Sequence, residues 1–316
     1  MKIILIGPGM KPIPPTGWGA IESLIWDYYE NLKKLNIDVI IINDARLCKV
    51  ITICNSEKPD VIHIMYDDYI KLVPHLRCSK ILYTSHYAGI TQEKFKDVHE
   101  EYFYCNFIKV IKYEDKIQLN ALSSTIVEIY KSYGYNGKLF ILQNGAREDL
   151  FNYVDIPTNG NKSVYVAKIE DRKRQYKYQC INGIDFVGNY HDSTFDINNP
   201  NYLGEWDKPS LYKNLTEYGN LILLSGGEAD PLVTKEALIA GLGLVLSEVS
   251  CANLDLTKAY ITIIPNEKLD DIEYIDEEIK KNREYSINHR DEIREYALAN
   301  FSWESIIKKY IDNINQ

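Results

Sequence analysis

The sequence predicts an α/β chain built from two domains, each around a parallel sheet. Three observations lead there. Short apolar runs rich in Ile, Val and Leu recur at residues 2–6, 39–42, 61–65, 81–84, 117–122 and 139–142, and again at 163–167, 184–187, 221–224, 244–246 and 261–264. They are the length of buried strands and are separated by helical or irregular segments, the pattern of a sheet covered on both faces. A length of 316 residues suits two domains of ordinary size. A polar segment at 155–162, with Pro157, Asn159, Gly160 and Asn161, reads as the linker between the two sets of strands. The expected division is 1–157, 158–300 and a terminal helix at 301–316.

Composition excludes several classes. The formal net charge is −9, so no broad basic surface is expected, nucleic acid is not a partner, and contact with a membrane is at most weak and peripheral. The six cysteines are Cys48, Cys54, Cys78, Cys105, Cys180 and Cys251. None forms C-x-x-C or clusters with His at metal spacing, which predicts reduced thiols in a cytoplasmic protein. The opening run Lys2 to Ile6 is too short for a signal peptide, and no apolar run of about 18 residues exists to span a membrane.

The elements follow in order. After the first strand, Gly7-Pro8-Gly9 through Thr16-Gly17-Trp18-Gly19 is too rich in Pro and Gly for a helix. A helix is expected from Ile21 to Lys34, with an apolar stripe at Ile21, Leu24, Ile25, Tyr28 and Leu32. A Gly-rich loop that feeds a helix N-terminus has the geometry of an anion site. It is not the G-x-G-x-x-G of dinucleotide sites. His63 lies in mid-strand and reads as a packed residue. His86 stands just past the strand at 81–84, at the carboxyl end where open α/β sheets meet ligands. Ser123 and Ser124 cap a helix that Gly134 ends. In the second half, Lys168 and the run Asp171-Arg172-Lys173-Arg174 follow the strand at 163–167, and taken alone they read as a solvated basic loop. Helices are expected at 209–217 and between 275 and 299, and Ser302 caps the last one.

The chain is organised around residues 220–247. A buried strand, Leu221 to Leu224, runs into the turn Ser225-Gly226-Gly227-Glu228. Asp230 is expected as the N-cap of a helix with Pro231 in its first position, and Gly241 and Gly243 stop that helix before the next strand. The unpaired N–H groups of Leu232 and Val233 would face the carboxyl end of a parallel strand, where a diphosphate is favoured. Glu236 is one turn further, roughly 6 Å along the axis on the same side, placed to accept from the hydroxyls of a sugar. Glu228 sits in the mouth of the turn. A purely structural βαβ unit with a solvated glutamate is the plainer reading.

This E-x7-E spacing inside strand–SGGE–x–x–P–helix–G–x–G–strand resembles the retaining glycosyltransferases of the GT-B fold, family 4. The early loop Pro14-Pro15-Thr16-Gly17-Trp18-Gly19-Ala20-Ile21-Glu22 is similar to that family's P-P-x-G-Y-G-G-I-E. The stretch from Ala167 to Arg174 resembles its G-R-x-x-x-x-K-G, with Lys168 at the arginine position and Lys173 at the lysine position. A lysine there replaces a forked contact by a point charge. The resemblance implies two Rossmann-like domains facing across a cleft, with the C-terminal helix crossing back to the first. It implies that Gly17, Gly19 and Ala20 line the donor site, that Lys168, Lys173, Asp230, Leu232, Val233 and Glu236 hold the donor, and that Glu228 and His86 touch its sugar.

The implied activity is transfer of a sugar, with retention, from a nucleoside diphosphate sugar to a glycan, lipid or other hydroxyl acceptor. A UDP-sugar is expected ahead of a GDP-sugar. The chain contains no D-x-D, so no cofactor and no essential metal are expected, and the leaving charge falls to Lys168, Lys173 and the helix N-terminus. Two alternatives stand beside this. One is a catalytically silent GT-B subunit that binds nucleotide or a partner. The other is a Rossmann dehydrogenase or epimerase, for which the dinucleotide fingerprint and a Tyr-x-x-x-Lys pair in the expected context are both missing.

Overall fold

A computed structural model describes residues 1–17, 19–92 and 101–315. Trp18, part of the expected Gly-rich loop, lies outside them. Contacts divide the chain into two units, Met1–Asn144 with Ile306–Gln316, and Gly145–Ser305.

The first unit holds a six-stranded sheet in the order β2-β1-β3-β4-β5-β6. Its strands are β1 (Lys2–Ile6), β2 (Asp38–Ile42), β3 (Val61–Ile64), β4 (Ile81–Tyr83), β5 (Gln118–Ala121) and β6 (Lys138–Ile141), and every pairing is parallel. Ile3 to Ile6 are fully buried, as the unbroken apolar run requires of a strand covered on both faces. Helix α1 (Ala20–Lys34) follows β1 and buries Leu24, Ile25, Tyr28 and Leu32. Helices α2 (Leu47–Glu57), α3 (Glu101–Lys112) and α4 (Ser124–Ser132) come next. The side chain of Ser123 caps α4 by accepting the Ile126 N–H at 3.4 Å. Gly9, at φ 72°, passes so close to the loop after β2 that a Cβ would stand 2.3 Å from the Ala45 nitrogen.

The second unit holds a five-stranded sheet in the order β11-β10-β9-β7-β8. Its strands are β7 (Asn159–Val166), β8 (Ile184–Val187), β9 (Tyr218–Leu223), β10 (Gly243–Ser247) and β11 (Ile261–Ile264), again all parallel. The expected linker at 155–162 is therefore partly strand: Asn159 already pairs with Tyr218, and an irregularity between Asn159 and Ser163 absorbs the polar residues. Helices α5 (Gln175–Tyr178), α6 (Lys208–Asn214), α7 (Leu232–Ile239), α8 (Ile272–Ile287) and α9 (Arg290–Phe301) flank the sheet. Asp207 caps α6 by accepting the Ser210 N–H at 2.9 Å. Gly241, at φ 82°, ends α7, as expected.

Helix α10 (Trp303–Asn315) is the last, and its residues from Ile306 onward belong to the first unit. There Tyr310 bonds His63 Nδ1 at 3.1 Å, while His63 Nε2 meets Thr84 Oγ1 at 2.8 Å. His63 is fully buried, and burial pushes its pKa down to about 3, so it is the packed, neutral residue expected from mid-strand. No helix among the described residues is long and apolar enough to cross a membrane.

Arg290 ties the second unit together. Its buried guanidinium donates to the carbonyls of Val154 (3.0 Å), Tyr218 (2.9 Å), Thr216 (2.6 Å) and Ala240 (3.1 Å). Arg290→Met leaves those acceptors unpaired, at a cost of about 3 kcal/mol or more. A scanning-calorimetry Tm lower by roughly 6–12 °C is the expected result for a unit of this size.

Candidate functional site

In the second unit β7 lies between β8 and β9. The chain runs to β8 on one side and then crosses to β9 on the other, so the carboxyl ends of β7 and β9 form the switch point where open α/β sheets bind ligands. Two loops meet there. The one after β7 contains the turn Asp171–Lys173, with Arg174 in the left-handed region at φ 57°. The one after β9 runs from Leu224 to Pro231 into α7. Their backbones are stitched together: the Gly226 N–H donates to the Arg172 carbonyl at 2.8 Å. Tyr165 OH donates to the Lys173 carbonyl at 2.5 Å and accepts the Leu224 N–H at 2.9 Å.

The stitch brings Glu228 and Lys173 together. Glu228 is buried, and its Oε1 accepts from Lys173 Nζ and from Arg172 Nη1, the latter at 3.2 Å. Arg172 Nη2 donates to Glu170 Oε1 at 2.6 Å, and Glu170 Oε2 pairs with Lys168 Nζ at 3.2 Å. Lys168, Glu170, Arg172, Glu228 and Lys173 thus form a chain of alternating charge. Burial alone would raise the Glu228 pKa, but Lys173 and Arg172 outweigh it and hold the carboxyl below its ordinary 4.5. Burial pushes the Lys173 ammonium down, with Glu228 opposing.

Asp230 is not the helix cap. Helix α7 begins at Leu232, Pro231 occupies the cap position, and no side chain caps the helix. The Asp230 side chain is fully buried and turned to Lys235 Nζ, with Asn253 Nδ2 at 2.9 Å. The physical reason is that Lys235, also fully buried, has to be neutralised, and Asp230 is the carboxylate beside it. Leu232 and Val233 do open the helix, as expected. Glu236 is buried one turn on, and its Oε1 accepts from Lys208 Nζ at 2.7 Å, a partner supplied by α6.

The remaining candidates lie in the first unit. Gly19 precedes α1, and its carbonyl accepts the Ser23 N–H at 2.9 Å. A Cβ on Gly19 would meet Glu22 Oε2 and Pro15 Cβ, each at 3.0 Å, so the loop is close-packed where glycine stands. Gly17 is half-buried and Ala20 exposed. His86 follows β4, and its Nε2 is buried without a hydrogen-bond partner. Burial pushes its pKa down to about 4, so the imidazole is neutral at pH 7. Beside it in sequence, Ser85 Oγ and Tyr83 OH donate to Asp67 Oδ1 at 2.6 and 2.9 Å.

Two functional-looking residues escaped the sequence reading. Arg172 was visible as one cation of a basic run but without a role. Lys208 carries no motif at all and sits 28 residues from Glu236. Among the described residues no group of three or more His, Cys, Asp or Glu side chains is placed to hold a metal ion.

Two outcomes follow from these pairings. Lys235→Met strands a buried carboxylate and should cost about 3–5 kcal/mol, whereas Asp230→Asn combined with Lys235→Met should recover much of that, read from urea midpoints. Glu228 has a depressed folded-state pKa, so its stabilisation is fully present above the unfolded value of 4.5 and is lost as pH falls through the folded one. Glu228→Gln should therefore be less stable than the parent at pH 7, with the gap in Tm closing in acid; a gap independent of pH contradicts the pairing.

No protein-family model matches this sequence, and no curated protein matches it by sequence. Solved structures do match its fold. Sucrose-phosphate synthase from Thermosynechococcus elongatus aligns at TM-score 0.77 and 14% identity, covering 100% of this chain and 98% of that one. HepE from Anabaena in complex with UDP aligns at TM-score 0.70 and 15% identity over 100% of both chains. The lipopolysaccharide outer core galactosyltransferase WaaB, in its apo form, aligns at TM-score 0.68 and 14% identity over 99% of both. The likeness runs the full length of the chain, and it establishes the architecture: two parallel-sheet α/β domains of the GT-B glycosyltransferase fold.

Proposed function

We propose that this chain is a glycosyltransferase that moves a sugar from a nucleoside diphosphate sugar to a hydroxyl acceptor, with retention at the anomeric carbon and without an essential metal. The observation that carries the reading is Glu228 held by Lys173 and Arg172 at the switch point of the second sheet, in front of α7. Support for a UDP-sugar ahead of a GDP-sugar comes from HepE, whose fold matches and which has been solved with UDP and with UDP-glucose. The six free cysteines are in keeping with a cytoplasmic setting.

In this mechanism the bond from the sugar's anomeric carbon to the β-phosphate oxygen breaks, and its electron pair leaves with the nucleoside diphosphate. The acceptor oxygen bonds the same carbon from the same face and passes its proton to the departing phosphate oxygen. Lys168, Lys173 and the N–H groups of Leu232 and Val233 offset the charge that develops there, a preorganised device in place of a metal. Lys173 must exchange some of its contact with Glu228 for phosphate. Glu228 touches the donor sugar. Glu236 accepts from the ribose hydroxyls, with Lys208 holding its other oxygen. His86, being neutral at pH 7, suits a hydrogen bond to a sugar hydroxyl rather than proton transfer.

The test is a thermal-shift screen of nucleoside diphosphates, followed by mass spectrometry of transfer and donor hydrolysis with the corresponding sugars. Activity should survive EDTA. Glu236→Ala should weaken UDP binding roughly 10- to 100-fold by calorimetry, the loss of a buried charged acceptor. Lys173→Ala should slow turnover by about 100- to 1000-fold. Nucleotide binding without turnover of any sugar nucleotide would instead identify a silent GT-B subunit.

A further inference from the structure

Arg172 bridges the two loops of the switch point through both its backbone and its guanidinium. Its carbonyl accepts the Gly226 N–H at 2.8 Å. Its Nη1 donates to the Gly227 carbonyl, to Ser225 Oγ at 3.4 Å and to Glu228 Oε1 at 3.2 Å. Its Nη2 holds Glu170 Oε1 at 2.6 Å. Nη1 therefore grips the Ser225–Glu228 turn while Nη2 holds Glu170, a two-nitrogen span that a planar guanidinium makes and a single ammonium cannot.

Lys173 differs in kind. It meets Glu228 through a single flexible ammonium. Were it the only cation on Glu228, its move towards a diphosphate would strand a buried carboxylate, an arrangement that is strongly unfavourable. Arg172 removes that conflict, because its contacts lie within the protein and persist when Lys173 turns away.

Resting on the glycosyltransferase reading above, the geometry points to Arg172 as the positioning residue of this site: it holds Glu228 and the Gly226-Gly227 turn in register so that Lys173 is free to pass from Glu228 to the donor's diphosphate. The division of labour separates two cations that are neighbours in sequence. Lys173 acts on donor affinity and on the leaving group. Arg172 acts through Glu228 and touches no substrate.

The charged groups that face Glu228 are Lys173 and Arg172 from the loop after β7 and Lys235 from α7, with the Tyr165 hydroxyl also near it. Lys235 is already neutralised by Asp230. Removing Arg172 thus takes away a direct counter-ion of Glu228, and the acid limb of any activity that needs ionised Glu228 must move to higher pH.

The experiment compares Arg172→Ala, Arg172→Lys and Lys173→Ala in full-length protein, by UDP calorimetry and by kcat and KM for donor turnover across pH. Arg172→Ala is expected to bind UDP within about threefold of the parent while kcat falls on the order of 100-fold, the usual result of a misplaced catalytic group. Its acid limb should move to higher pH, and Arg172→Lys should restore that limb more than it restores kcat, since it returns the charge but not the fork. Lys173→Ala should lose UDP affinity as well as turnover. An Arg172→Ala protein with the parent's acid limb and kcat overturns the assignment even though the parent binds UDP and turns over. A loss of UDP affinity in Arg172→Ala equal to that of Lys173→Ala overturns it too, because Arg172 would then be a phosphate ligand. If the parent binds no nucleoside diphosphate, the glycosyltransferase reading itself fails and this assignment falls with it. Should Arg172→Ala not fold, Arg172→Gln, which keeps a donor to the Gly227 carbonyl, answers through the same acid limb.

Discussion

The contact of Glu228 with Lys173 and Arg172 exists because β7 and β9 are neighbours. Fifty-five residues separate Lys173 from Glu228 along the chain, and only the pairing of Ser163 with Asn220 and Val164 with Leu221 brings their loops to one place. The chain visits β8 before returning to β9, so the connections leave β7 and β9 on opposite sides and the space above their carboxyl ends stays open. The first sheet carries the same permutation, with β1 between β2 and β3, and its Gly-rich loop springs from the corresponding strand end. Strand order, more than any single residue, positions what this molecule offers to a ligand.

Two buried ion pairs stand a few residues apart and do different things. Asp230 and Lys235 are sealed from solvent on both sides of the pair, and their partners lie within the protein. Such a pair costs desolvation on both members and stabilises little net, but it fixes the turn in front of α7, since breaking it leaves a charge in a low-dielectric interior. Glu228 and Lys173 are less enclosed, at 8% and 11% side-chain exposure, and sit at the open end of the sheet. There a lysine can change partners. The first pair shapes the turn, and the proposed function draws on the second.

The same contrast runs through Glu236 and Lys208. Glu236, one turn into α7, is held by a cation from α6. Lys208 orients that carboxylate through Oε1. Arg172, Lys173 and Lys208 all lie on carboxylates of the β9–α7 region, so these charges are paired within the protein.

Sequence by itself determined the strands and most of the helices. Runs such as Ile3 to Ile6 and Leu221 to Leu223 have no polar face to leave exposed, so they can only be central strands, and Gly241 in the left-handed region is a local stop signal that any neighbour would respect. It also determined that Glu228, Lys173, Leu232 and Glu236 lie at the carboxyl ends of their strands or in the helix that follows. Tertiary structure alone decided who pairs with whom. Asp230 reads as a cap from spacing, and becomes a counter-ion because a buried lysine one helical turn away competes for it. Arg172 reads as one charge in a basic run, and becomes the grip on the turn because β9 lies beside β7. The β7 strand reaches back to Asn159 through residues that look like a linker, because Tyr218 offers it a ladder. Backbone preference is set by near neighbours in the chain, whereas the partner of a charge is set by strand order, which no local pattern encodes.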